Sequence, residues 1–422
     1  MNQSAPQNLR VMPENFLEKR NLNNSPINLI FIAQGPEPKT SQYVSGAAVR
    51  QLEIMKRISR KQNVILWVIS IKPVCDNFQK NDVKAYYKIV PRLIKSEKFF
   101  VAHIIDSIIR SIYVCLAPTH IQNDNILIHS PSDFLWDTFP AFVKKLRNKE
   151  IKWFASVYHI VLHPSQRPGG FSLSNLFSYI AQHMSLVLVV RLADMIQTET
   201  NFLRNELVRR YRISPKKIFV CQSGVNPKVI DNFSWTKGKI YDACFLAHLH
   251  RSKGIHDLID TWEYLCESKK DAKLAIAGDG PIKVINEVKN RIKDLDLENN
   301  VFFLGFLSEK EKFELLKASK IYVLPSSEEG IPITFYEAMY CGLPVITYYL
   351  PTYAEIKDYI VSVPLGDVEG LADEILKVLE DEDLARRLGD KGRKLAKEHT
   401  WDETADYIIS QIEKKIVASS FG

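Results

Sequence analysis

"KIYVLPSSEEGIPITFYEAMYCGLPVITYYL", Lys320 to Leu350, reads as strand, turn, helix and strand. KIYVL is a short apolar run bounded by Pro325, the pattern of a buried strand. Ser326 to Pro332 make the turn, Thr334 to Cys341 form a short helix, and Gly342 closes it. LPVITYYL then resumes a strand. A helix between two strands makes a βαβ unit, and that unit predicts a parallel sheet. Glu329 falls on the loop and Glu337 on the helix, two carboxylates set 8 positions apart around a Gly-Ile-Pro turn.

The alternation extends in both directions. Upstream, from Asn28, come NLIFIAQ, a helix from about Ser45 to Arg60, NVILWVIS, and later NILIHS and IKWFASVYH. Nearer the quoted stretch come YDACFLAHL, a helix from about Gly254, AKLAIAGDGP, a helix to about Lys293, VFFLGFL and another helix. Between the two series, after IFVCQSGV, lies NPKVIDNFSWTKGK, polar and aperiodic with Pro227 and Gly238, which marks a boundary. A chain of 422 residues exceeds what one core sustains, roughly 250–300 residues.

The expected architecture is therefore α/β, with two doubly wound Rossmann-like domains. The expected divisions are an N-terminal extension (1–25), a first domain (26–226), a linker (227–239), a second domain (240–400) and a C-terminal helix (401–422). Thr400 and Glu403 have the spacing of a capping box for that helix, which is expected to cross back to the first domain. Ligands of open α/β sheets sit beyond the carboxyl ends of the strands, so two such domains would present two crevices across a cleft.

Hydrophobic content of 46% and charged content of 25% are those of a soluble globular protein, without repeats or low-complexity tracts. The six cysteines (Cys75, Cys115, Cys221, Cys244, Cys266 and Cys341) are scattered, lack metal-ligand spacing and read as reduced core residues. The start, MNQSAPQNLR, has no apolar signal core, which predicts a cytoplasmic location.

FFVAHIIDSIIRSIYVCLA, Phe99 to Ala117, is apolar enough to test as a membrane span. It carries His103, Asp106 and Arg110, and a charge at a bilayer centre costs about 2.5–3.5 kcal/mol on insertion scales. Asp106 and Arg110 are spaced i,i+4, which favours an ion pair on a core or interfacial helix.

Charge is divided unevenly. Residues 1–230 carry roughly +16 and residues 231–422 roughly −9, giving the net +7. The clusters Arg92–Lys98, Lys144–Lys152 and Arg209–Lys217 suit an anionic membrane or an anionic acceptor, and equally suit solvated helix faces. No recognition motif accompanies them, so a nucleic-acid partner is not expected.

The turn has its own chemistry. The first amides of a helix lack intrahelical partners and, with the helix dipole, make an anion site that a glycine such as Gly330 leaves open. Carboxylates accept hydrogen bonds from sugar hydroxyls. An amide nest between two acceptors fits a sugar–diphosphate–ribose ligand; a Glu337 that merely caps the helix or pairs with a lysine is the structural alternative.

PSSEEGIPITFYEAMYCGLPVI (Pro325 to Ile346) resembles the Glu-x7-Glu signature of retaining glycosyltransferases of the GT-B fold, family 4 in particular. AIAGDGP (Ala275 to Pro281), VFFLGFLSEKEKFELLKASKIYVLPS and QSGVNP (Gln222 to Pro227) resemble further segments in the family's order. The resemblance covers the C-terminal half almost continuously and the N-terminal half loosely, through SGAAVRQLEIMKRISRKQNVILWVIS, DNILIHS and WFASVYHIV.

The resemblance implies that Glu329 lies against the donor hexose and Glu337 on the ribose, with amides near Gly330 and Ile331 holding the sugar and diphosphate. Lys253 stands at the position of a lysine that clamps the diphosphate, whereas His248 stands where the family has arginine and Ala247 where it has glycine. Arg251 is the alternative cation. Gly46 matches the glycine loop of the first domain, His159 matches a histidine facing the donor sugar, and Gly280 belongs to the loops that read the base. No cofactor is implied beyond the nucleotide-diphosphate sugar donor. No divalent metal is expected, since "DLD" (Asp294 to Asp296) and "DED" (Asp381 to Asp383) lie in polar, helix-like stretches.

The expected function is transfer of a hexose from a nucleotide sugar to a hydroxyl acceptor: a glycan, a lipid-linked sugar or a small molecule. A GT-B binding or partner subunit with weak or no turnover is the alternative, on the strength of His248 and Ala247. An epimerase or phosphorylase of the same fold is weaker, because an epimerase is expected to show a different acid/base set and a phosphorylase a pyridoxal-binding lysine context that the sequence does not offer.

Overall fold

The computed structural model describes residues 9–10, 26–34, 46–91, 100–117, 125–166 and 171–420. The basic segment Arg92–Lys98 and, except for Leu9–Arg10, the extension 1–25 lie outside them. The described chain forms two units. Residues 26–164, 172–221 and 402–420 make the first, and residues 222–401 are the body of the second.

The first unit's sheet contains β1 (Leu9–Arg10), β2 (Ile27–Ala33), β3 (Val64–Ser70), β4 (Tyr86–Ile89), β5 (Ile126–Ser130), β6 (Lys152–Val157), β7 (Met195–Thr198) and β8 (Ile218–Val220). Its order is β1-β4-β3-β2-β5-β6-β7-β8. Strands β2 to β8 run parallel, and β1 pairs antiparallel with β4. The chain starts at β2, builds outward through β3 and β4, then returns to build the other way from β5. The gap between β2 and β5 is thus a topological switch point.

Helices α1 (Gly46–Ile58), α2 (Lys72–Lys80), α3 (Phe100–Leu116), α4 (Leu135–Arg147), α5 (Leu173–Leu192) and α6 (Asn201–Tyr211) make the connections. Strand β5 is buried along its length, as expected of a strand covered on both faces. Its His129 stacks on Phe154, and burial holds its imidazole down to about 3, so this histidine is a neutral core residue.

The second unit contains α7 (Pro227–Asp231), β9 (Tyr241–Leu246), α8 (Ile255–Ser268), β10 (Leu274–Ala277), α9 (Ile282–Asp294), β11 (Val301–Gly305), α10 (Glu309–Ala318), β12 (Ser319–Val323), α11 (Ile333–Tyr340), β13 (Val345–Tyr348), β14 (Val361–Val363), α12 (Val368–Glu380) and α13 (Glu382–Lys397). Its 6 parallel strands are ordered β11-β10-β9-β12-β13-β14, with the switch point between β9 and β12. Trp262, Phe245, Tyr322 and Phe335 fill the core around that point. Helix α7 lies within the stretch 227–239, and its Ile230 is buried in the same core.

The last helix, α14 (Trp401–Ser420), belongs from Asp402 onward to the first unit. Arg57 on α1 donates to Asp402 at 2.8 Å, Lys61 pairs with Asp406, and Asn63 donates to Glu413 at 2.6 Å. Helix α3 carries the Asp106–Arg110 pair at 2.9 Å with both side chains buried. Among the described residues no helix is long and apolar enough to cross a membrane. The cysteines are all free thiols, five of them buried.

Candidate functional site

In the second unit the loops leaving β9 and β12 flank the switch point, and hydrogen bonds tie them together. Ser327 N donates to Ser252 O at 2.9 Å, and Gly254 packs so closely on Pro325 that a Cβ would fall 1.8 Å from its carbonyl oxygen. Gly254 also has φ +68°, a left-handed conformation that only glycine adopts cheaply. The backbone at this point therefore admits glycine alone.

That contact brings together two residues 76 positions apart. Lys253 donates to Glu329 Oε1 in a mostly buried ion pair, and Ser326 Oγ lies 3.4 Å from the same oxygen. Thr352 Oγ1 fixes the loop by donating to the Glu329 carbonyl at 2.9 Å. A cation and a carboxylate are thereby held at the carboxyl end of the sheet, where ligands of such sheets bind.

Helix α11 starts one turn later. Its N-cap, Pro332, makes no side-chain cap bond, and Ile331 buries its side chain beside it. Gly330, partly buried, lies between Glu329 and this helix start, so an incoming anion would meet backbone and no side chain. Glu337, on the buried side of α11, accepts from Lys312 Nζ at 2.5 Å. Glu329 and Glu337 thus each have their own lysine. Tyr322 on β12 braces the helix, its hydroxyl 2.9 Å from Leu246 O and 2.8 Å from Thr334 Oγ1.

His248 is half-buried on the β9 loop, and burial pushes its imidazole below the ordinary range, with His250 lowering it further. It is therefore neutral near pH 7. Arg251 is exposed and donates to Glu287 on α9 at 2.8 Å. Gly280 approaches the same loop from β10: a Cβ there would lie 2.3 Å from Leu249 O, and Leu249 N donates to Asp279 O at 2.9 Å. His248, Gly280, Lys253 and Glu329 thus lie on three linked loops at one end of the sheet.

In the first unit Gly46 is the first residue of α1 and is exposed. The next turns of α1 are anchored from below. Arg50 pairs with Glu199 at 2.5 Å, donates to Cys221 O at 2.8 Å and lies 4.7 Å over the partly buried Tyr158 ring; Arg50, Glu199 and Cys221 are buried. His159 is partly exposed just after β6, and its carbonyl accepts from Gln182 at 2.8 Å. Gln182 also donates to the buried Asp133 at 2.6 Å. Asp137 accepts from Gln34 N and Ser132 Oγ, both at 2.5 Å, and burial raises its carboxyl to about 7. Gly46 and His159 thus belong to the first unit, whereas His248, Gly280, Lys253 and Glu329 belong to the second.

Sequence reading missed Lys312, Thr352 and Ser252. Lys312 is 25 positions from Glu337 and looks like one more charge on a polar helix; only the packing of α10 and α11 shows its partner. Its place three and four positions before the apolar Leu315 and Leu316, on the packed side of an amphipathic helix, was the available signal.

Residues 230–395 match the family model described as "Glycosyl transferases group 1". The chain is 30% identical over 171 residues to N-acetyl-alpha-D-glucosaminyl L-malate synthase of Bacillus anthracis, covering 40% of this chain and 43% of that protein. It is 26% identical over 265 residues to mannosylfructose-phosphate synthase of Agrobacterium fabrum, covering 58% and 57%. The chain thus spans about half the length of these curated relatives.

Among solved structures it resembles Anabaena HepE in complex with UDP and glucose, with TM-score 0.68 and 16% identity over 92% of this chain and 99% of that one. It also resembles sucrose-phosphate synthase of Thermosynechococcus elongatus, with TM-score 0.71 and 16% identity over 93% and 100%. Two parallel-sheet α/β units with these neighbours give the chain the GT-B fold. Residues 230–395 are thus similar to the glycosyltransferase group 1 family.

Proposed function

We propose that this chain is a retaining glycosyltransferase that moves a hexose from a nucleoside-diphosphate sugar to a hydroxyl acceptor. The reading rests above all on the Lys253–Glu329 pair, set beside a helix start at the switch point of the second sheet. Names among the similar proteins agree with it: the HepE structures hold UDP, UDP-glucose or UDP with glucose, and the curated relatives include an N-acetyl-alpha-D-glucosaminyl L-malate synthase and a mannosylfructose-phosphate synthase.

In this reading the diphosphate lies against the first amides of α11 and draws Lys253 toward it. The lysine then shields the charge that grows on the leaving phosphate as the bond to the sugar breaks. Glu329, released in part from the lysine, accepts hydroxyls of the hexose, and Glu337 accepts those of the ribose. Retention follows the family pattern of front-face departure, the leaving phosphate oxygen helping to take the acceptor proton; Glu329 is not assigned as a nucleophile. His159 and Gly46 are proposed for the sugar and acceptor side, and Gly280 for the loop beside the base. A glycan or lipid-linked acceptor and a cytoplasmic location belong to the same proposal, with no divalent metal used.

Incubation with UDP-, GDP- and ADP-hexoses, followed by nucleoside diphosphate release and by NMR of the product anomer, tests this. An α product from an α donor is expected, and inversion would contradict retention. One observation favours a second reading, a GT-B subunit that binds donor and turns over poorly: burial leaves His248 uncharged where the resemblance places an arginine. Tight nucleotide binding without release would select it.

A further inference from the structure

Helix α3 is arranged inside out for a helix facing water. Its Asp106 and Arg110 are paired and buried, together with Ser107 and Ser111. Its exposed residues are Ile105, Ile108, Ile112 and Leu116, the last 67% exposed. Steps of three and four place these side chains on one stripe. A helix in water carries its apolar stripe inward and its charges outward.

The stripe has neighbours. Helix α4 packs between α3 and α5 and exposes Phe139 and Leu146, while α5 exposes Ile180 and Met184. Each of the three helices crosses between parallel strands of one sheet, so all three run in the same direction. Their outward residues therefore form one band and not scattered single exposures.

Charge identifies the occupant. Among the described residues of these helices the acidic side chains, Asp106 and Asp137, are buried. The exposed charges are Arg147 at the C-terminal end of α4, one of whose guanidinium nitrogens donates to Cys115 O at 2.6 Å, Lys149 just after it, and Arg191 at the end of α5. Glu150 in the same turn is exposed as well, outnumbered by these cations. An apolar band with cations at one end matches a bilayer whose headgroups are anionic: side chains enter the acyl boundary while arginine and lysine meet the phosphates.

We propose that the outer face of α3, α4 and α5 docks the protein on an anionic lipid bilayer. This inference does not depend on the nucleotide-sugar reading. It is tested by flotation of the full chain with phosphatidylcholine–phosphatidylglycerol vesicles and with phosphatidylcholine vesicles. Sedimentation velocity and circular dichroism run alongside.

The wild-type chain should float with the mixed vesicles and at least about 10-fold less with phosphatidylcholine alone. Ile108→Glu with Ile112→Glu should lower flotation by a similar factor with folding unchanged. Lys149→Gln with Arg191→Gln should weaken binding and its salt dependence together. Flotation that the Ile108→Glu/Ile112→Glu variant leaves unchanged would overturn the proposal, as would absence of wild-type flotation. A wild-type dimer that this variant breaks, without vesicle binding, would assign the face to a second copy of the chain instead.

Discussion

Lys312 Nζ lies 2.5 Å from Glu337 Oε1, joining α10 to α11 with both side chains mostly shielded from water. Removing one partner of such a pair leaves a desolvated charge, which costs about 3–5 kcal/mol when burial is complete and less here. Lys312→Met should therefore lower thermal stability, and adding Glu337→Gln should restore part of it. Nucleotide affinity should fall about tenfold in both single variants, since each disturbs the proposed ribose acceptor. Calorimetric titration with UDP and a double-mutant cycle check both statements.

Burial keeps His248 uncharged near neutrality, so Lys253 is expected to carry the cationic role. Lys253→Met should reduce donor turnover by about a hundredfold, the scale of a lost transition-state contact. His248→Gln should change it by less than about threefold at pH 7.5. Steady-state nucleotide release by the two variants at saturating donor is the measurement.

Gly254 holds the loop that presents Lys253, and a side chain there meets both a left-handed backbone and the Pro325 carbonyl. Gly254→Ala should cost upward of about 2 kcal/mol of stability and should depress turnover beyond the loss of folded protein. Urea unfolding and activity per folded molecule separate the two effects.

Asp137 supplies a pH dependence. Burial raises its carboxyl to about 7, so the native state retains a proton that the unfolded chain loses near pH 4. The native state then binds more protons across that window, and stability falls as pH rises from about 4 to about 7. Asp137→Asn should flatten this slope while keeping an acceptor for Gln34 N. Urea midpoints of both proteins at pH 5 and pH 8 test it.

Much of this architecture is legible in the chain because buried parallel strands are short apolar runs: KIYVL and NVILWVIS announce themselves by pattern alone. Less visible are β14, three residues long with two only partly buried, and α7, a single turn inside a polar stretch whose Ile230 joins the core. Periodicity indicates the Asp106–Arg110 pair on α3 but not which side of the helix faces the protein, which depends on α4. At the candidate site, Glu329 and Glu337 are marked by the turn between them. Their lysine partners sit 76 and 25 positions away and meet them only through loop and helix packing.

Glu329, Lys253 and Glu337 are proposed to form one nucleotide-sugar site that supports transfer. The most direct measurement is nucleoside diphosphate release from a panel of nucleotide hexoses, comparing wild type with Glu329→Gln at equal folded concentration. Release by the wild type with one preferred base is expected, with a loss of about a hundredfold or more in Glu329→Gln and unchanged circular dichroism. Equal release by the two proteins would contradict it.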